Sequence, residues 1–206
     1  MQTSKVNVRK LTQLALLVAI VLVLAYTPLG YLPIGPLSLS LITIPVAIGA
    51  MVLGPVSGAV LGTAFGLTSF MNAMQGGSAM GTALFQANPF FCFINCVVAR
   101  LLCGLLCGLI YRALTKAMPQ KKKLCCTLGA LSAPVLNTIL FMGCLVLLYY
   151  RTDYVQSLVA GLGAANPFVF VVMLVGLQGV IEAVICCIVA TAVTVPLLTV
   201  LKKAKA

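Results

Sequence analysis

Apolar residues fill this chain in blocks about as long as a membrane is thick. Short clusters of Pro, Gly or charge divide the blocks. A transmembrane helix needs about 20 apolar residues. The first block predicts helix one over residues 11–26, closed by Thr27-Pro28 and then by Gly30, Pro33, Gly35 and Pro36. Helix two is predicted over 38–53, and Gly54-Pro55 breaks it from helix three over 56–72. These two form a tight hairpin. A polar, Gly-rich connection covers 73–89. Helix four follows over 90–114, helix five over 124–150 and helix six over 167–201. Helix six is longer than one span requires, so it is expected to tilt or to project beyond the bilayer.

Charge orients these helices. Basic residues cluster at Lys5, Arg9 and Lys10, at Arg112, Lys116, Lys121, Lys122 and Lys123, and at Lys202, Lys203 and Lys205. With six helices all three clusters fall on one side, as the positive-inside rule demands. Five or seven helices would strand one of them outside. The loops at 27–37, 73–89 and 151–166 carry Arg151 as their only basic residue. The expectation is an all-α integral membrane protein of the cell membrane, multi-pass, with six transmembrane helices. Both termini are cytoplasmic, and residues 1–206 form a single transmembrane domain. The first apolar run lacks a convincing cleavage site and reads as a retained helix rather than a signal peptide.

Composition agrees. The chain is 62% hydrophobic and only 7% charged, where a soluble domain carries about 25% charged residues. The net charge of +11 sits in membrane anchors rather than in a stripe, which argues against nucleic acid. Nine cysteines with no histidine argue against zinc, so no metal and no cofactor are expected. Cys92, Cys96, Cys103 and Cys107 share a helical face and read as small packing residues. Cys125-Cys126 and Cys186-Cys187 are expected to be reduced. The P-loop pattern G-x-x-x-x-G-K-[ST] is absent, so the chain does not power transport with its own nucleotide site. Two acids and no histidine leave no hydrolase machinery, and the chain is not expected to be an enzyme.

Candidate chemistry lies inside the helices. Arg100 in helix four and Glu182 in helix six are ionisable groups at membrane depth, and such groups are functional candidates by default. At about 1.5 Å per residue, both fall near mid-depth with Asn137 of helix five. An Arg100–Glu182 pair could tie two helices together, or Arg100 could take a ligand carboxylate. The two roles can coexist, because a paired guanidinium keeps spare donors. Gln178 shares a face with Glu182, four residues away. Asn95, Asn137 and Thr68 are further polar groups that either bond between helices or reach a ligand. Gly54, Gly58, Gly62 and Gly66 recur every four residues and predict close backbone packing; Ala15 and Ala19 form a weaker pair of the same kind.

Several stretches together carry a family resemblance. They are TPLGYLPIGPLSLSLITIPVAIGAMVLGPVSGAVLGTAFGLTSF, ARLLCGLLCGLIY around Arg100, PVLNTILFMG around Asn137 and GVIEAVICCIVATAV around Glu182. The chain resembles the substrate-binding S component of energy-coupling-factor vitamin transporters, most of all the pantothenate-type branch. The first-helix segment ALLVA, Ala15 to Ala19, matches that family's docking motif for the coupling subunit. The resemblance implies a high-affinity vitamin-binding module with the first outer loop as a lid. It also implies partners: a transmembrane coupling subunit and two ATPases, on which the module topples to release substrate inside. Folate, pyridoxine or a thiamine precursor are alternative substrates within the family. A small proton-coupled permease using Glu182 is an alternative outside it.

Overall fold

The computed structural model describes residues 8–28, 30–34 and 37–203. The basic residues Lys5 and Lys205 and the loop positions Gly35 and Pro36 lie outside the described residues. The order is α1 (Val8–Ala25), a hairpin of β1 (Tyr31–Ile34) and β2 (Leu37–Ser40), α2 (Thr43–Leu53) and α3 (Pro55–Met74). Then come α4 (Ala79–Ala87), α5 (Pro89–Phe93), a π-helical turn (Ile94–Val98) and α6 (Ala99–Ala117). Last are α7 (Lys122–Tyr149), α8 (Asp153–Leu162) and α9 (Pro167–Lys203).

Among the described residues, four segments are long and apolar enough to cross a membrane: Val8–Ala25, Pro89–Ala117, Lys122–Tyr149 and Pro167–Val200. Helix α3 has the length, at 20 residues, but its serines, threonines and Asn72 make it less apolar. Helix α2 departs from the expected 38–53. It has only 11 residues, which at about 1.5 Å each is half the hydrocarbon thickness. The missing half is the β-hairpin. Its source is the alternation in Leu37-Ser38-Leu39-Ser40, a period of two that suits a strand rather than a helix.

Helix α2 sits at the centre. It packs against α1, α3, α6, α7 and α9, and Thr43, Pro45 to Met51 are all buried. A helix that is apolar all round requires such a position. Around it the glycine stripe works as expected. A Cβ added at Gly58 would strike the Gly104 carbonyl, and one at Gly62 would strike the Arg100 carbonyl. At Gly66 it would lie 2.7 Å from the Cys96 carbonyl oxygen. Glycine therefore sets the α3–α6 distance over three turns. Gly54, at φ 100°, makes the left-handed break between α2 and α3.

Two expected connections are corrected. The 73–89 stretch contains α4, capped by the Ser78 hydroxyl, which accepts from the Gly81 amide at 3.3 Å. The 151–166 stretch contains α8, closed by Gly163 in the left-handed conformation at φ 62°. Both are short helices at the hairpin end, where Met80, Leu84, Tyr149, Val155 and Phe170 build one apolar cluster. The Tyr149 hydroxyl faces the Leu84 and Asn88 carbonyls at 3.1 and 2.7 Å, fastening α4 to the end of α7. Helix α9 is kinked at Gly176 (φ 25°, ψ −118°) rather than simply long.

The nine cysteines are free thiols. Cys103 donates to the Ala133 carbonyl at 3.2 Å and Cys107 to the Gly129 carbonyl at 3.4 Å. They serve as small polarisable groups between α6 and α7. Among the described residues no cluster of His, Cys, Asp or Glu could hold a metal ion.

Candidate functional site

The hairpin roofs a cavity of about 90 Å³ enclosed by α3, α4, α6, α7 and α9. Strand geometry explains the roof. Ser38 and Ser40 point the same way from β2, and Tyr31 is the register partner of Ser40. All three line the cavity. From below come Arg100 of α6, Asn137 and Thr138 of α7, and Gln178 and Glu182 of α9; Ser69 and Asn72 of α3 complete the polar wall.

Arg100 is buried, and its guanidinium carbon lies 4.6 Å from the Phe65 ring centroid and 4.8 Å from that of Phe141. Two aromatic faces hold the plane and stabilise the charge, each by about 1–2 kcal/mol in a desolvated setting. Its Nη1 donates to the Cys96 carbonyl at 3.1 Å. That carbonyl belongs to the π turn, where the wider winding shifts the bonding pattern just before Arg100. Such turns recur at functional sites. The Nε group has no partner.

Glu182 is held by other groups than Arg100. Its Oε2 accepts from the Ser40 amide at 3.5 Å and its Oε1 from the Thr43 hydroxyl at 3.3 Å. The same hydroxyl lies 2.8 Å from the Ser40 carbonyl, the shorter contact for its single proton. Thr43 is the first residue of α2, whose N-cap position offers no side-chain bond. The carboxylate thus supplies, from α9, the negative charge that a helix N-terminus favours. Instead of the expected pair with Arg100, Glu182 fastens the hairpin and α2 to α9. No ion pair to Arg100 forms.

The cavity therefore collects Arg100, Asn137, Gln178 and Glu182. It does not collect Thr68 or Asn95. The Thr68 hydroxyl donates to the Phe65 carbonyl at 2.8 Å within its own helix. Asn95 is fully buried in the π turn with both amide atoms unpartnered. Tyr31, Ser38, Ser40, Ser69 and Asn72 were not singled out in the sequence. The signal for the hairpin serines was the two-residue alternation, hidden inside an apolar block. Ala15 and Ala19 are both exposed on α1, while Leu14, Leu17 and Val18 turn inward against α2 and α3.

Four unpartnered polar atoms belong to residues that line the cavity: the Tyr31 hydroxyl, Ser40 Oγ, Arg100 Nε and Asn137 Oδ1; others, on Asn95, Thr191 and Thr194, do not. Buried polar atoms normally find partners. One cation, one carboxylate and several hydroxyls and amides thus line one cavity among apolar helices. A family model described as "ECF transporter, substrate-specific component" matches residues 9–194. The chain belongs to that family: it is a substrate-specific component of an energy-coupling-factor transporter. Membership implies a small-molecule substrate and docking on the energy-coupling module; the family is one of transporters rather than enzymes. A search of curated proteins gives no match.

Proposed function

We propose that the chain captures a carboxylate-bearing vitamin, with pantothenate the best fit, and delivers it to a coupling subunit and two ATPases. The observation that carries this reading is Arg100. It is buried between two aromatic rings with a free Nε, and among the described residues no carboxylate pairs with it. A ligand carboxylate would complete it with short, charge-assisted bonds. Asn137, Gln178, Ser40 and Tyr31 offer the mixed donors and acceptors that pantothenate's amide and hydroxyls need.

The cavity of about 90 Å³ is smaller than the roughly 300 Å³ where small-molecule pockets begin. Entry then needs the roof to lift. The hairpin is the movable part, since its polar tie to α9 is a 3.5 Å bond from Ser40 to Glu182. In the orientation that the basic residues favour, the hairpin faces outside and both termini face the cytoplasm of a cell-membrane protein. The hairpin and α2 together then make one crossing, for six in all, in one transmembrane unit. Exposed Ala15 and Ala19 let a partner helix approach α1 closely.

Native mass spectrometry of the protein as purified from its own membrane tests the reading. A co-purifying mass equal to pantothenate supports it. Folate, pyridoxine or a thiamine precursor would keep the class and change the substrate. Uptake into vesicles by this chain alone, driven by a pH gradient, would replace it with a Glu182-dependent permease.

A further inference from the structure

We infer that the end of the molecule opposite the hairpin carries a seat for an anionic phospholipid, with its headgroup at Lys122 and an acyl chain in the groove between α6, α7 and α9. The groove is a cavity of about 670 Å³. Tyr111, Met118, Cys125, Cys126, Val195 and Leu198 form its apolar walls, and Lys122 stands at its rim. The polar atoms inside are already spent. The Thr115 hydroxyl bonds the Tyr111 and Arg112 carbonyls at 3.0 Å, and the Thr199 hydroxyl bonds the Val195 carbonyl at 3.0 Å. The Tyr111 hydroxyl lies 3.7 Å from Cys126 Sγ. The interior thus suits a hydrocarbon chain and has nothing to hold a small anion.

The rim has the opposite character. Lys121, Lys122 and Lys123 are exposed at the start of α7, whose N-cap provides no side-chain bond. Arg112 and Lys116 are exposed on the same two turns of α6 as Tyr111 and Thr115. No acid lies nearby to balance them. The chain has two acids; Asp153 begins α8 at the hairpin end, and Glu182 is bound to Ser40 and Thr43. Among the described residues no side chain supplies the counter-charge, so the partner inferred is an anion from outside. At a membrane surface the available source is anionic lipid, and basic pockets between transmembrane helices bind such headgroups. Charge at the rim and hydrocarbon below it match one amphiphile.

The test uses the full chain, delipidated in detergent and examined by native mass spectrometry. Phosphatidylglycerol and phosphatidylcholine with identical chains are added separately. One phosphatidylglycerol should persist at collision energies that strip phosphatidylcholine. Replacing Lys121, Lys122 and Lys123 by Gln should weaken phosphatidylglycerol about a hundredfold, at about fivefold per surface lysine, and leave phosphatidylcholine unchanged. Leu198→Trp fills the groove and keeps every cation; it too should abolish the retained phosphatidylglycerol, with unchanged helical circular dichroism. Equal retention of both lipids overturns the proposal. So does phosphatidylglycerol binding that survives Leu198→Trp, which would mean surface charge without a seat. Displacement by soluble glycerol 3-phosphate would assign a small-anion site instead and overturns it equally.

Discussion

Arg100 is the buried cation on which the proposed site rests. A guanidinium at membrane depth is costly unless paired, and its contacts here are one backbone carbonyl and two rings. Arg100→Ala should weaken binding of a carboxylate vitamin by about 2–5 kcal/mol, as loss of a desolvated charge partner does. Titration calorimetry on the folded variant measures it; unchanged affinity would make Arg100 a structural residue. Glu182 predicts a different outcome. Glu182→Ala removes the acceptor for the Ser40 amide, so amide exchange across 37–43 should accelerate while exchange in α7 stays constant. Arg100, Asn137, Gln178 and Glu182 could be singled out because charges and amides stand out in apolar helices. Tyr31 could not, because a hydroxyl in a loop has no such contrast, nor could Ser38 and Ser40, whose two-residue alternation lay inside a block read as helix two. The partner of Glu182 was equally hidden: Ser40 lies 142 positions away in sequence, and no local pattern links them.

At the scale of elements, α3 against α6 is the contact that the chain announces most clearly. Glycines every fourth residue have one good use in an apolar helix, which is close approach, and the Arg100 carbonyl sits against Gly62. Gly62→Leu should therefore push the two backbones apart and displace Arg100, at a cost of about 1–3 kcal/mol from overpacking. A lowered midpoint of thermal unfolding in detergent, together with weaker ligand binding, checks this. Gly143→Ala, where a Cβ meets nothing within 4 Å, is the control and should leave both unchanged. The hairpin, α4 and α8 were the illegible elements. Each is short, and short helices draw their stability from tertiary packing rather than from propensity. The packing partner that fastens α4, Tyr149, comes from a distant segment, 65 positions away from Leu84. The π turn is invisible for a similar reason, since no residue type in Ile94–Val98 encodes an extra residue per turn.

At the scale of the molecule, the membrane class was legible from hydropathy and charge alone, whereas the central position of α2 was not. An 11-residue helix inside a block of apolar residues looks like part of a full span until its neighbours are known. The arrangement separates two surfaces: the cavity beneath the hairpin, and the outward face of α1. Ala15→Trp should accordingly block assembly with the coupling module and leave vitamin affinity intact, which co-purification and calorimetry on the same variant would show. Loss of vitamin binding instead would place Ala15 in the internal packing. We propose that the cavity around Arg100 binds one small carboxylate vitamin. Calorimetric titration of the purified chain against a panel containing pantothenate, folate, pyridoxine and thiamine precursors tests it directly. Saturation by one carboxylate vitamin at one molecule per chain is the predicted result; no saturable heat from any vitamin in the panel would contradict it.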